Sequence, residues 1–159
     1  MTLSDHFPLE LIRLHHHWLV ADSVKESIKA YRRAGGPEIE PRLPEPLRQI
    51  AQQLSFFNVL KVWYALLYVV IEGYGEIALS SNVLDELLSD QEKVQALRRF
   101  RNAVFHFQGD VVFSPKELEF LNADFEGEWI RKVNKAFDKF FSDHLPIRQM
   151  LEDFEKLAK

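Results

Sequence analysis

The sequence predicts an all-α fold: an up-and-down bundle of four or five main helices with short helices between them. Three observations predict it. Apolar residues recur at helical spacing through several long segments. Residues that start and stop helices bracket those segments. No convincing run of strands interrupts them, since Val111-Val112-Phe113 is too short to count.

Taken in order, Pro8 suits the first turn of a helix from Leu9 to about Arg33. Leu11, Leu14, Trp18, Ala21, Val24, Ile28 and Tyr31 keep helical spacing along it, and Gly35-Gly36-Pro37 ends it. Four prolines between Pro37 and Pro46 read as an extended connection. A second helix is expected from Glu45 or Pro46 to Glu72, stopped by Gly73 and Gly75. Leu47, Ile50, Ala51 and Leu54 give its start one apolar face; from Phe56 onward it is apolar nearly all round, as a central helix is.

Ser81 or Asn82 can cap a short helix over Val83–Leu88. Ser89 or Asp90 can cap the next, expected over about Gln91–Phe107, before a turn at Gly109-Asp110. Ser114, Pro115 and Glu117 start a further helical piece. A helix from about Ala123 to Ser142 carries Phe125, Trp129, Val133, Phe137, Phe140 and Phe141 on its apolar side, and Pro146 opens a last one from Ile147 to about Leu157. Short connections place neighbouring helices mostly antiparallel, in one domain over residues 1–159.

Composition narrows the function. The 159 residues are 47% hydrophobic and 28% charged, ordinary for a globular chain, while 13 phenylalanines imply a well-packed core or a core plus an interface. A net charge of −4 argues against a protein that coats duplex DNA, because such binding rests on many cation–phosphate contacts. With no cysteine there is no disulfide framework, cysteine nucleophile or cysteine metal site. The N-terminus lacks the pattern of a signal peptide, and Leu54–Ile71 contains Ser55, Asn58 and Lys61, so a buried helix fits it better than a membrane span. A cytoplasmic location is expected.

The chemistry concentrates in Arg101-Asn102-Ala103-Val104-Phe105-His106. On a wheel, Val94, Leu97, Phe100, Ala103, Val104 and Phe105 share one apolar arc, and Arg101 falls inside it. A guanidinium there must pair internally or face a cleft or interface, because an unpaired buried charge is costly. Asn102 and His106 are neighbours at i, i+4 on the adjoining polar face, with Gln95, Arg98 and Arg99. Arg101 and His106 lie about 140° apart on an ideal helix. They converge if the helix ends near Phe107, or across a two-fold axis between two copies.

Arg101-Asn102-x-x-x-His106 resembles the motif of the HEPN superfamily (higher eukaryotes and prokaryotes nucleotide-binding), an Arg followed by a polar residue and, after a short spacer, His. Glu72-Gly73-Tyr74 before it and the Phe-rich Trp129–Phe141 after it are similar to the surroundings in bacterial HEPN-like proteins. The likeness extends over most of the chain, but only the motif is specific. It implies a bundle that dimerises with its motifs facing each other. It also implies a metal-independent endoribonuclease, often a toxin or antiphage effector paired with a protein antitoxin, with no cofactor.

The residues suit that chemistry independently. His106 can act as base or acid near neutrality. Arg101 can hold a phosphate and stabilise transition-state charge, and Asn102 can orient either. Arg98 and Arg99 are candidate substrate contacts. Lys93, Arg98, Arg99 and Arg101 oppose a single acid, Glu92, within Gln91–Gln108.

Blander readings stand beside these. Arg101 can form an internal ion pair with an acid such as Glu72, and His106 can be a helix-end histidine. His15-His16-His17 invites a metal, but consecutive helical residues point about 100° apart and share an ion poorly, so no metal site is expected. The alternative functions are a non-catalytic helical dimerisation or interaction module and a nucleotide-binding accessory domain.

Overall fold

The computed structural model describes residues 9–36, 39–107, 109 and 113–147. Among these the fold is all helical, with six helices and no strand. They are α1 (Leu9–Arg33), α2 (Glu45–Tyr74), α3 (Asn82–Leu88), α4 (Gln91–Phe105), α5 (Pro115–Ala123) and α6 (Glu128–His144). Pro8, Val111-Val112 and the part of the expected last helix beyond Ile147 lie outside the described residues.

Local chemistry sets most boundaries. Gly35 and Gly36 adopt positive φ and turn the chain after α1. The side chain of Ser81 accepts from Leu84 N to start α3, and Asp90 from Lys93 N to start α4. Ser114 and Glu117 form a reciprocal capping box at α5.

Several boundaries differ from the sequence reading. Helix α2 passes through Gly73 and ends at Tyr74, with Gly75 as its cap. Gly73 packs beneath Leu14: a Cβ there would lie 2.8 Å from Leu14 Cδ1, so its bare backbone makes room for the end of that side chain. Helix α4 stops at Phe105 rather than Phe107. The helix expected from Ala123 begins at Glu128, because Gly127 (φ 65°) and the carboxylate of Asp124 build a turn between α5 and α6. Asp124 accepts from Trp129 N and Ile130 N at 3.0 Å each. Phe125 therefore leaves the apolar side where the sequence placed it and is 84% exposed.

Helix α2 is the centre. Its N-terminal part meets the end of α1, where Arg32 lies over the Phe56 ring, and Leu14 near the start of α1 shares a groove with Glu72 and Gly73, so the two helices are antiparallel. Helix α6 also runs antiparallel to α1: Asn134 lies by Asp22, and Phe141 by Trp18 and His15. Tyr64, Phe100 and Phe120 join α2, α4 and α5 through ring contacts, while Tyr74 packs edge-on against Phe137 and Phe140 of α6.

Helix α2 is long and apolar enough to cross a membrane by length and composition. Its second half is instead the middle of the core, with Trp63, Tyr64, Ala65, Leu67, Tyr68, Val70 and Ile71 buried. Lys61, within its apolar run, reaches the Glu117 carboxylate of α5 at 2.8 Å. Of the α2 residues before Lys61, Leu47, Ile50, Leu54 and Phe57 are exposed along one face.

Candidate functional site

Arg101 lies one turn before the end of α4, beside α2. Its Nη2 is 3.3 Å from both carboxylate oxygens of Glu72, and its Cζ lies 5.1 Å from the centre of the Tyr68 ring. Tyr68 and Glu72 are four residues apart, so α2 presents ring and carboxylate together. The internal pairing with Glu72 is thus present. It is not sealed: the Glu72 side chain is 47% exposed and that of Arg101 24%. Arg101 Nε is buried without an acceptor among the described residues. Burial pushes the Tyr68 hydroxyl pKa up, as does the Glu72 charge, while Arg98 and Arg101 pull it back. Both arginines therefore act on the same phenol.

Asn102, half-buried, follows Arg101, and its carbonyl accepts from His106 N at 3.1 Å. His106 caps α4 in extended conformation (φ −111°, ψ 142°) and is exposed. The helix thus ends before His106, and the ideal-helix angle between it and Arg101 no longer applies. Val94, Leu97, Phe100 and Ala103 are buried as the wheel predicts, but Phe105 is 49% exposed because it is the last helical residue.

The two candidate substrate arginines separate. Arg98 is exposed on the Tyr68 side. Arg99 turns to α5 and forms a two-pronged pair with Glu119, Nε to Oε2 at 2.9 Å and Nη2 to Oε1 at 2.5 Å. That pair is exposed and raises the Arg99 pKa.

Sequence reading missed Tyr68. Its signal was the Tyr68-x-x-x-Glu72 spacing, hidden in a run that reads as core throughout. The histidine triplet divides as helical geometry requires: His15 packs on Trp18 and Phe141, while His16 and His17 are exposed. Burial, then the charge of His16, lowers the His15 pKa. Among the described residues no group of three His, Cys, Asp or Glu side chains could hold a metal.

No family model, curated protein or solved structure matches this chain.

Proposed function

We propose that the chain is a HEPN-type domain that binds and cleaves RNA without a metal, acting as a cytoplasmic homodimer, with Arg101, Asn102 and His106 as its active residues. The toxin or antiphage role, with a protein antitoxin as partner, belongs to the same reading. The observation that carries it is the placement of Arg101: a guanidinium held by a ring and a carboxylate but still open to solvent, on the helix whose end presents His106.

In this reading a phosphodiester takes the place of the Glu72 carboxylate on Arg101. One His106 removes the proton of the ribose 2′-hydroxyl, whose oxygen attacks phosphorus. The bond to the 5′-oxygen breaks, and that oxygen takes a proton from a second His106, supplied by the partner copy. Arg101 stabilises the charge that builds on the phosphoryl oxygens.

The test is incubation with single-stranded RNA in the presence of a chelator. The wild-type chain is expected to cleave, and His106→Ala and Arg101→Ala to lose cleavage while keeping the helical circular dichroism of the parent. Equal cleavage by wild type and His106→Ala would remove the site. A second reading, a non-catalytic interaction module, is favoured by the exposed face of Leu47, Ile50, Leu54 and Phe57. Absence of cleavage together with a stable dimer lost on Ile50→Glu would support it instead.

A further inference from the structure

One face of α2 follows a heptad from end to end. Leu47, Ile50, Leu54 and Phe57 in its outer half, then Lys61, Tyr64 and Tyr68 in its inner half, recur at alternating steps of three and four. That is the spacing of a seam along which another helix packs. The inner half is used in this way by the chain itself. Lys61 bonds Glu117 of α5, Tyr64 meets Phe100 of α4 and Phe120 of α5, and Tyr68 lies under Arg101 of α4. The outer half is bare: Leu47 and Ile50 are 51% and 52% exposed, and Leu54 and Phe57 each 38%. At its inner edge the Phe57 ring meets that of Phe113, just before α5. Helix α1 does not cover the stripe, because it packs on another side of α2, where Arg32 lies over the Phe56 ring. Phe56 is about 160° round the helix from Leu54.

The surroundings of the stripe are unusual for a face left in water. From Pro46 to Asn58 every exposed residue of α2 is uncharged, with Gln49, Gln53 and Asn58 beside the apolar four. A solvated helix face normally carries charges. The four apolar side chains expose on the order of 350 Å², in the range of the largest patches on monomers, which are often functional. Two such patches with their neutral rims approach the lower end of stable interfaces, about 1,200 Å² in total.

The spacing also says what can cover it. Positions 47, 50, 54 and 57 are symmetric about Gln52. An antiparallel copy of the same stripe therefore sets Leu47 against the partner's Phe57 and Ile50 against the partner's Leu54, with no apolar residue left over. A chain of net charge −4 repels its copies over most of its surface, and this neutral face is where two can meet without like charges opposed.

We propose that the outer half of α2 pairs with the same segment of a second copy, antiparallel about a two-fold axis at Gln52. Glu72 lies 20 residues from that axis, so the two Arg101 sites end about 60 Å apart. This contact is therefore separate from one in which the motifs face each other. It builds on the interaction-module reading, and it stands or falls whether or not the chain cleaves RNA.

The experiment joins sedimentation velocity over a concentration series to disulfide trapping, which is clean because the chain has no cysteine of its own. The parent is expected to dimerise. Ile50→Glu changes an exposed side chain and is expected to keep the helical circular dichroism while weakening association about a hundredfold or more, because each copy brings an unpaired carboxylate against the partner's Leu54. Leu47→Cys mixed with Phe57→Cys is expected to give a disulfide between unlike copies, and neither variant alone to give one. In the antiparallel pairing like positions lie about 15 Å apart, beyond a disulfide's reach of about 7 Å. A parent that stays monomeric overturns the proposal, as does a dimer that Ile50→Glu leaves intact, which would use another face. Disulfides within the single variants, without the mixed one, overturn the antiparallel arrangement. If the parent is monomeric and a different protein binds the stripe, the interaction-module reading stands and the self-pairing fails.

Discussion

The strength of the Arg101–Glu72 pair decides whether Arg101 can serve a phosphate. Two unit charges 3.3 Å apart attract by about 1 kcal/mol in bulk water and about 5 kcal/mol at an effective dielectric of 20. Glu72 is nearly half exposed and Arg101 a quarter, so solvent screens the pair toward the lower figure. Both carboxylate oxygens engage the same Nη2 at a long distance, and this is not the parallel two-nitrogen fork that makes such pairs strong. The Tyr68 ring persists when Glu72 is removed and supplies about 0.5–1 kcal/mol by cation–π attraction. A double-mutant cycle with Glu72→Ala, Arg101→Ala and both together, read by urea denaturation, is therefore expected to give a coupling of about 1 kcal/mol. The same energy implies that Glu72→Gln binds a non-cleavable RNA about fivefold more tightly than wild type. A coupling of about 3 kcal/mol or more, the range for breaking buried pairs, would refute the reasoning, because Arg101 would then be locked to Glu72 as a structural tie.

Two further outcomes test the fold around the site. Asp124→Ala removes the carboxylate that receives two main-chain N–H groups at the start of α6, and thermal unfolding should show a loss of about 1–2 kcal/mol; a loss below about 0.5 kcal/mol would mean that water replaces the cap. Burial, reinforced by Asp124, pushes the Tyr64 pKa up to about 12, and burial with the Asp85 hydrogen bond does the same for Tyr74. A raised pKa favours the protonated folded state, so this stability is complete below about pH 10, the unfolded value, and is lost as pH rises through the folded values. Stability should decline from about pH 10 upward, and a Tyr64→Phe/Tyr74→Phe variant that loses stability equally over that window would contradict the assignment.

What the sequence revealed depended on how local the cause was. Caps at Ser81, Asp90 and Ser114 involve residues three apart, and a reader of the chain can find them. The end of α1 follows from two glycines. The turn before α6 was missed because Asp124 acts on residues five and six positions ahead, and because Phe125 supplies apolar spacing without being buried. Gly73 reads as a stop by composition, and only the folded neighbourhood shows that it lies inside the helix with the Leu14 side chain packed over it. In the candidate site, the anomaly of Arg101 was legible, and Glu72 was named as its partner. Tyr68 was not, since a tyrosine in an apolar run signals core until the neighbouring helix is in place.

The unequal helix lengths have a consequence for motion. Helices α1 and α2 have 25 and 30 residues, while α4 and α6 have 15 and 17. Between Glu45 and Val62 no residue of α2 is buried, and from Trp63 onward most are. The two ends of this one helix are therefore expected to open with different free energies. Amides near the hairpin tip exchange with solvent through small openings that uncover little new surface and respond weakly to denaturant. Amides from Trp63 to Tyr74, in the buried half, are expected to exchange only when the whole bundle opens. A ligand or partner that grips the outer half would be felt there first as slowed exchange, with the global stability rising only by the share of its binding energy that the inner half transmits.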